Sequence, residues 1–383
     1  MIMKTTLLAG TSPFASGAAT ILACVAFTQA PISADCQTVY PTPYTFTTIA
    51  AKSDPRFNPK SVAVDAAGGV YFADPMKQAI CRVEPSGAVS IIAGQFGACG
   101  NSDGKGNQAR FCYPRGIATD AAGNIYVADT CNNTIRRITP GGVVRTLAGL
   151  AGTGGSRDGT GFYARFNYPV SVAVDHLGNV YVADLFNCTI RKVTAHGTVT
   201  TIAGLADIPG GADGQGISAR FSFPISIAVD GQDNIYVADL IYNAIRKVTS
   251  SGIVTTFAGR MSYTGGNIDG VGNAARFRHP SGIVLDRAGN IYVADSGNQI
   301  IRRITPDGTV TTLAGLAGQS GFVDGIGSAV RFWHPAALAL DRLGNLYVTD
   351  VNNAVIREGS ADISTKPALS LKTSGASKTS FSE

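Results

Sequence analysis

Two histidines, His279 and His334, each stand directly before a proline, and their positions differ by 55 residues. Imidazole nitrogens bind zinc, but a zinc site needs three or four protein ligands, so two histidines do not complete one. Ser281 follows the first of these prolines, and Lys60 and Arg115 follow prolines earlier in the chain. No nucleophile is paired with a base, so we predict no catalytic residue, metal or cofactor, with a hydrolase or lyase site at these polar residues as the alternative.

A second motif with possible chemistry is a D-G-x-G run followed by A-R-F. It occurs five times, with Val330 replacing alanine in the last copy, and it begins at Asp103, Asp158, Asp213, Asp269 and Asp324. Calcium takes six to eight oxygen ligands, whereas each copy offers one invariant carboxylate. We therefore predict a structural role in which Asp158, for example, pairs with Arg165 and Phe166 fills a seam in the core.

Basic pairs form a third recurring motif, at Arg136-Arg137, Arg191-Lys192, Arg246-Lys247 and Arg302-Arg303. A basic patch is typical of nucleic-acid binding. Successive residues of a strand point to opposite faces, however, so each pair splits between two environments. We interpret the pairs as solvated or salt-bridged and predict no nucleic-acid partner.

The elements that carry these motifs belong to a repeat of 55 or 56 residues. Each copy contains an apolar run and then phrases of the Y-V-A-D, N-x-x-I-R and, except in the sixth copy, T-L-A-G type. The aspartates that close the Y-V-A-D phrases are Asp74, Asp129, Asp184, Asp239, Asp295 and Asp350. Alternating and β-branched residues predict four short antiparallel strands per copy. Six such units, none able to bury both faces alone, predict an all-β, six-bladed β-propeller of four-stranded antiparallel blades.

The two ends of the repeat region predict how the ring closes. The sixth copy stops after N-A-V-I-R-E-G-S and lacks its fourth strand, while Y-T-F-T-T-I-A-A at residues 44–51 precedes the first copy. This N-terminal strand is expected to complete the last blade and so remove an open sheet edge.

The phrase P-x-G-I-A-x-D-x-x-G-N-x-Y-V-A-D-x-x-N-x-x-I-R-x-I, seen at 114–138 and 280–304, resembles the NHL-repeat β-propellers. The resemblance covers about residues 44–359 and implies a propeller that binds other molecules. A weaker resemblance extends to peptide-amidating lyases, which hold zinc with histidines placed just after the prolines that lead inward. That chemistry is not carried over, because the matching positions are Lys60, Arg115, Val170, Ile225, Ser281 and Ala336.

The segments outside the repeats predict export. Residues 1–34 have the uncharged, small-residue core of a signal peptide. They are followed by a lead at 35–43, the propeller at 44–359 and a disordered Ser/Thr/Lys-rich tail at 360–383. Lipidation at Cys24 is a minor alternative to cleavage, and either route leaves six cysteines for an oxidising compartment, the periplasm or the extracellular space. Cys99 with Cys112 is the first candidate disulfide, whereas Cys81 is interpreted either as a disulfide partner or as a small buried apolar residue.

Departures from the repeat indicate a binding surface. After the Y-V-A-D aspartate, two copies carry apolar residues where others carry Thr130 or Ser296, and the long connections add further aromatics; together these give the candidate patch Leu185, Phe186, Leu240, Ile241, Tyr242, Phe162, Tyr163 and Tyr263. Such a patch is typical of a partner-binding surface, or else the long loops cover it. We therefore predict a secreted or envelope binding or scaffolding module for a protein or carbohydrate ligand, not membrane-spanning, with its oligomeric state left open.

Overall fold

The protein folds into six antiparallel sheets that form the blades of a β-propeller. The structure is a computed structural model that describes residues 44–50 and 57–361. The inner strand of every blade contacts the inner strands of both neighbouring blades, so the ring is closed around a central channel. The predicted signal peptide, lead and tail, with Cys24 and Cys36, lie outside the described residues, apart from Ser360 and Ala361.

Each blade has four principal strands, ordered here from the channel outward. Their bounds are, for blade 1, β2 Ser61–Val64, β3 Val70–Asp74, β4 Ala79–Val83 and β5 Val89–Gly94; for blade 2, β7 Pro114–Thr119, β8 Ile125–Asp129, β9 Thr134–Ile138 and β10 Val143–Ala148; for blade 3, β12 Pro169–Val174, β13 Val180–Asp184, β14 Thr189–Val193 and β15 Thr198–Ala203; for blade 4, β17 Pro224–Val229, β18 Ile235–Asp239, β19 Ala244–Val248 and β20 Ile253–Ala258; for blade 5, β22 Pro280–Leu285, β23 Ile291–Asp295, β24 Ile300–Ile304 and β25 Thr309–Ala314; and for blade 6, β27 Pro335–Leu340, β28 Leu346–Asp350, β29 Val355–Ser360 and β1 Thr45–Ala50.

Five blades carry a fifth strand of two residues that the repeat pattern does not predict. The glycine of each D-G-x-G run pairs with the start of the outermost strand, as Gly159 does with Val199. These short strands are β6 Gly104–Lys105, β11 Gly159–Thr160, β16 Gly214–Gln215, β21 Gly270–Val271 and β26 Gly325–Ile326. Single-turn 3₁₀ helices lie at Gly106–Gln108, Thr130–Asn132, Gly161–Tyr163, Gly216–Ser218, Gly272–Ala274, Ser296–Asn298, Gly327–Ala329 and Val351–Asn353.

The core lies between neighbouring blades. The second strand of a blade has sheet partners on both sides and a blade packed on each face, so all five residues of β13 are buried. The turn before it is held as expected: Asp120 accepts hydrogen bonds from the N–H groups of Ala122 and Asn124 at 2.9 and 2.8 Å, and Gly123 takes a φ of 80°.

The predicted closure is confirmed. Strand β1 pairs antiparallel with β29 through Thr45–Ser360 and the residues that follow. On its other edge it pairs with β26. Strand β29 reaches Ser360, one residue beyond the predicted end of the propeller.

A buried arginine between two aspartates recurs in blades 2–6 and confirms the salt-bridged interpretation of the basic pairs for their first member. Arg191, fully buried on β14, contacts Asp184 at 2.8 Å and Asp158 at 2.7 Å. Its guanidinium also lies 5.2 Å from the ring centroid of Phe166, which fills the seam as predicted. The predicted Asp158–Arg165 pair is wrong, because Arg165 donates instead to the carbonyl oxygens of Phe162 and Ala164 in its own turn.

Blade 1 places a different cation near its buried aspartate. Cys81 takes the arginine position and is buried and unpaired among the described residues, which agrees with the apolar interpretation. The nearby cation is Lys77, whose ammonium lies 5.8 Å from the centroid of the Phe57 ring. Lys77 also lowers the pKa of Asp74, although burial is the larger effect and raises it. A lysine from the loop thus replaces an arginine from the strand.

The predicted disulfide between Cys99 and Cys112 is present and spans the connection from blade 1 to blade 2. Cys131 and Cys188, like Cys81, form no disulfide within the described part of the chain. Within residues 44–50 and 57–361, no helix has the length and apolarity that a membrane crossing requires.

Candidate functional site

Five residues that precede the inward-leading prolines adopt a left-handed backbone conformation at one mouth of the channel. Their φ values lie between 49° and 63°, and they are Tyr113, Tyr168, Phe223, His279 and His334. Bulky side chains rarely adopt this conformation, which costs about 1–3 kcal/mol at each position and is concentrated at functional sites. These strained residues make this mouth a candidate functional site.

A ring of hydrogen bonds between blades holds these strained residues. The N–H of Tyr168 donates to the side chain of Asn133 on the preceding blade at 2.8 Å, and His334 donates to Gln299 in the same way. Blade 1 departs from the ring, because Asn58 donates to Asp74, as Cys112 does to Asp129 two residues before its proline. Asn58 is therefore not equivalent to Tyr113 or the histidines, since blade 1 is one residue shorter here.

A cavity of about 310 Å³ occupies this mouth. The structure brings together all five predicted mouth residues, Lys60, Arg115, Ser281, His279 and His334, in its lining. Burial lowers the pKa of Lys60, as does the nearby guanidinium of Arg115. Burial also lowers the pKa of His334, with further effects from Lys60 and His279. Lys60 therefore lies near both Arg115 and His334, and His334 lies near His279.

The hydroxyl of Ser281 is committed to bonds within the protein. It pairs with the hydroxyl of Ser296 and lies 2.8 Å from the carbonyl oxygen of Ala336 on the next blade. Neither partner is a base, so this geometry joins two blades and does not activate a nucleophile. The described residues contain no group of three or more His, Cys, Asp or Glu side chains arranged to hold a metal ion.

The opposite mouth of the channel has different chemistry. Its cavity of about 520 Å³ is lined by the turn aspartates, such as Asp120 and Asp286. These carboxylates already accept hydrogen bonds, Asp286 from the N–H groups of Ala288 and Asn290 at 2.9 and 2.8 Å. They stabilise turns and present few free acceptors to a ligand.

The predicted patch divides into members with different environments. Leu185 is only 4% exposed and packs in the core between blades 3 and 4, so this residue is buried and does not belong to an exposed patch. Phe186 is 46% exposed and stacks on Tyr168, with the ring centroids 4.7 Å apart. It also contacts Phe223 edge to face. Leu240 and Ile241 line the mouth cavity.

The remaining aromatic members form two further pairs. The hydroxyls of Tyr242 and Tyr263 lie 2.9 Å apart, and Tyr263 is 71% exposed. Phe162 and Tyr163 contact each other in the 3₁₀ turn beside the outer strand. Among the described rings, no contact joins that second pair to Phe186 or Tyr242, so the patch is not one continuous surface.

Blade 4 loses a structural hydrogen bond to place Tyr242 at its loop. In blade 3, Asn187 donates to the buried Asp184 at 2.6 Å. Tyr242 stands at the equivalent position, and within the described part of the chain one oxygen of Asp239 accepts no hydrogen bond from a side chain. Burial raises the pKa of Asp239 to about 7 and that of Asp184 to about 6. A departure from the repeat that costs stability, as Tyr242 does here, indicates that the residue is kept for function.

Restoring the asparagine should stabilise blade 4. We expect Tyr242→Asn to raise the free energy of unfolding by about 1–2 kcal/mol, because a hydrogen bond to a buried carboxylate is regained. It should also lower the pKa of Asp239 towards that of Asp184. Urea unfolding and a carbon-13 NMR titration of the carboxyl group measure both effects. Tyr242→Ala is the control, and equal stability of the two variants would contradict the role assigned to the asparagine.

Comparison with known proteins agrees with this architecture. The family described as "NHL repeat" matches residues 111–138 and 277–303, which are the β8–β9 and β23–β24 regions with the segments that lead into them. The chain is an NHL-repeat β-propeller.

Relatives of this NHL-repeat propeller include larger proteins. It is 32% identical over 285 residues to Protein SUPPRESSOR OF QUENCHING 1, chloroplastic, of Arabidopsis thaliana, covering 70% of this chain and 27% of that protein. It is 28% identical to NHL repeat-containing protein 2 of Bos taurus, covering 79% of this chain and 46% of the relative. The chain therefore spans less than half the length of either relative.

Among solved structures, this NHL-repeat propeller resembles an auxiliary nutrient binding protein from Bacteroides ovatus. The TM-score is 0.61 at 20% identity, with 83% of this chain and 77% of the other covered. At that identity the likeness concerns the fold.

Three aromatic residues at the mouth of this NHL-repeat propeller were missed by the patch prediction. Tyr168 and Phe223 complete the ring contacts of Phe186, and Trp333 is 48% exposed beside His334. Bulky side chains recur in the sequence one or two residues before the inward prolines, and this pattern could have predicted these three aromatic residues.

Proposed function

We propose that this NHL-repeat propeller is an exported binding or scaffolding module that captures a protein or glycan ligand at the channel mouth that carries Phe186 and Tyr242. The observation that carries the proposal is the asymmetric rim of this mouth. Phe186 is exposed on blade 3, and the half-buried Tyr242 on blade 4 bonds to the exposed Tyr263. Buried aspartates anchor the loops of Phe186 and Tyr242. Exposed aromatic anchors on a rigid scaffold are the usual centre of a binding surface.

Two observations support the proposed location and the binding class. The Cys99–Cys112 disulfide is compatible with an oxidising compartment. The strained residues before the prolines and the lost hydrogen bond at Asp239 add stability costs at this mouth, as expected where a surface is selected for binding.

Capture of a ligand tests the proposal. We expect Phe186→Ala combined with Tyr242→Ala to weaken binding at least about tenfold, because aromatic anchors dominate binding energy. A glycan array and a panel of extracellular proteins would supply the ligand, and biolayer interferometry would measure the affinity. The melting temperature should stay near that of the wild type.

The matched control is Phe162→Ala, which removes an exposed phenylalanine from the separate pair of Phe162 and Tyr163. Equal loss of affinity in the control, or unchanged affinity in the double variant, would remove this mouth from consideration. Turnover of a lactone, ester or peptide substrate that depends on His279 and His334 would favour the enzyme alternative instead.

A further inference from the structure

The channel mouth is divided into a basic half and an apolar half. One of the two residues that flank each inward proline is basic on four consecutive blades: His279 and His334 precede the prolines of blades 5 and 6, and Lys60 and Arg115 follow those of blades 1 and 2. On blades 3 and 4 the equivalent lining residues are Val170 and Ile225, with Leu240 and Ile241 beside them. The sixfold repeat does not require this arrangement, because the copies share a backbone but differ here in side chain.

The positive charge in this cavity has no acidic partner in its lining. Among the described residues that line it, none is Asp or Glu. Asp74 is the acid that acts on Lys60, but its oxygens already accept bonds from the N–H groups of Asn58, Met76 and Lys77. At the border between the two halves, burial raises the pKa of the Tyr168 phenol and the nearby guanidinium of Arg115 lowers it. Like charges gathered in a partly desolvated pocket are costly unless an anion binds between them.

The apolar half has the chemistry of a ring-binding surface. The branched side chains of Val170 and Ile225 line it together with Leu240, and the stacked pair of Phe186 and Tyr168 stands on the same blade as Val170. Hydroxyls of Ser171 and Ser226 line the same cavity and accept N–H bonds from the next blades. A volume of about 310 Å³ suits a small molecule or one terminal group of a larger one.

We propose that this mouth binds a cyclic organic anion, with its carboxylate or sulfate between Lys60 and Arg115 and its ring against Val170, Ile225 and Leu240. The inference rests on the proposed function and names the chemistry of the ligand's anchoring group. Such a group is carried by an acidic sugar, as in an anionic glycan, or by an aromatic acid.

Isothermal titration of the full chain against matched acids and neutral compounds tests the proposal. The probes are glucuronate against glucose, benzoate against benzyl alcohol, and inorganic sulfate. We expect an acid to bind at least about tenfold more tightly than its neutral counterpart and than sulfate, since charge and ring act together. Preference for glucuronate over benzoate identifies an acidic sugar as the source, and the reverse preference identifies an aromatic acid.

Charge-neutral variants locate the binding. Lys60→Gln with Arg115→Gln should weaken binding of the acid at least about tenfold. Arg287→Gln with Arg342→Gln is the control, because it removes the same net charge from the opposite mouth and should change affinity less than about twofold. Melting temperatures of both double variants confirm folding.

Three results would overturn the inference: equal binding of acid and neutral probes, sulfate binding as tightly as the cyclic acids, or equal losses in the two double variants. If the acids do not bind while Phe186→Ala with Tyr242→Ala still weakens capture of a glycan or protein, the anionic ligand is wrong and the binding function stands. If the acids bind but that aromatic pair has no effect on capture, the mouth is an anion site and the proposed capture surface is wrong.

Discussion

Arg191→Ala is expected to lower the free energy of unfolding by about 3–5 kcal/mol, because it leaves a buried aspartate without its cation. Arg191 is fully buried and bonds to Asp184, Asp158 and the carbonyl oxygen of Arg165. The adjacent Lys192 is the matched control. Its ammonium lies 5.4 Å from the centroid of the Tyr181 ring on a half-exposed face, so Lys192→Ala should cost less than about 1 kcal/mol.

The pH dependence of the Arg191→Ala deficit identifies its cause. Burial raises the pKa of Asp184 to about 6 even with Arg191 present to lower it, so removing the arginine raises it further. A carboxyl whose pKa is higher in the folded than in the unfolded chain binds its proton preferentially in the folded state, so stability rises as the pH falls through that range. Urea unfolding should show a smaller deficit at about pH 5 than at about pH 8. A deficit independent of pH would attribute the loss to packing.

Blade 1 suggests a second replacement that should recover the stability lost when Arg191 is removed. Lys77 and Cys81 occupy the positions of Asn187 and Arg191 in blade 3. If a loop lysine can replace the strand arginine, Asn187→Lys with Arg191→Cys should be at least about 1 kcal/mol more stable than Arg191→Cys alone, because the aspartate regains a cation. No recovery would show that the lysine of blade 1 depends on other features of that blade.

The architecture follows from the repeat because every blade must solve the same packing problem. The Y-V-A-D strands are fully buried in blades 2–6, and in blade 1 only Tyr71 is partly exposed, so their apolar pattern recurs in every copy. The fifth strand was missed because a two-residue strand has no periodicity to detect. The pairing of Asp158 with Arg191 was missed because the two residues are 33 positions apart, whereas Arg165 lay close in the chain and appeared the natural partner.

The site was only partly predictable because it lies in the residues that differ among the copies. Lys60, Arg115 and the two histidines were found from their positions beside the prolines, and the cavity joins them. Leu185 was placed in the patch because it looks like Leu240 in sequence, but it points into the core between two blades. Exposure in a loop depends on how the neighbouring blade packs, which a single repeat unit does not encode.

The closing blade contains a complementary pair of residues not found in the other blades. Phe46 of β1 lies opposite Gly359 of β29, where blades 2 and 5 pair Val144 with Ile138 and Val310 with Ile304. Phe46 is fully buried and packs edge to face on Phe332 at 5.3 Å. A Cβ at Gly359 would lie 2.5 Å from the Phe46 ring. The large residue therefore fits only against the small one, and this match favours pairing of the N-terminal strand with blade 6.

Each single replacement in this pair should weaken closure, whereas the double replacement should restore it. Phe46→Val leaves a cavity beside Phe332 and is expected to cost about 2–4 kcal/mol. Gly359→Ile overpacks the strand against Phe46 and is expected to cost about 3 kcal/mol. Phe46→Val with Gly359→Ile rebuilds the pair used by blades 2 and 5, so its free energy of unfolding, measured with urea, should return to within about 1 kcal/mol of the wild type. If the two costs add instead, Phe46 and Gly359 contribute independently and their complementary fit does not explain the closure.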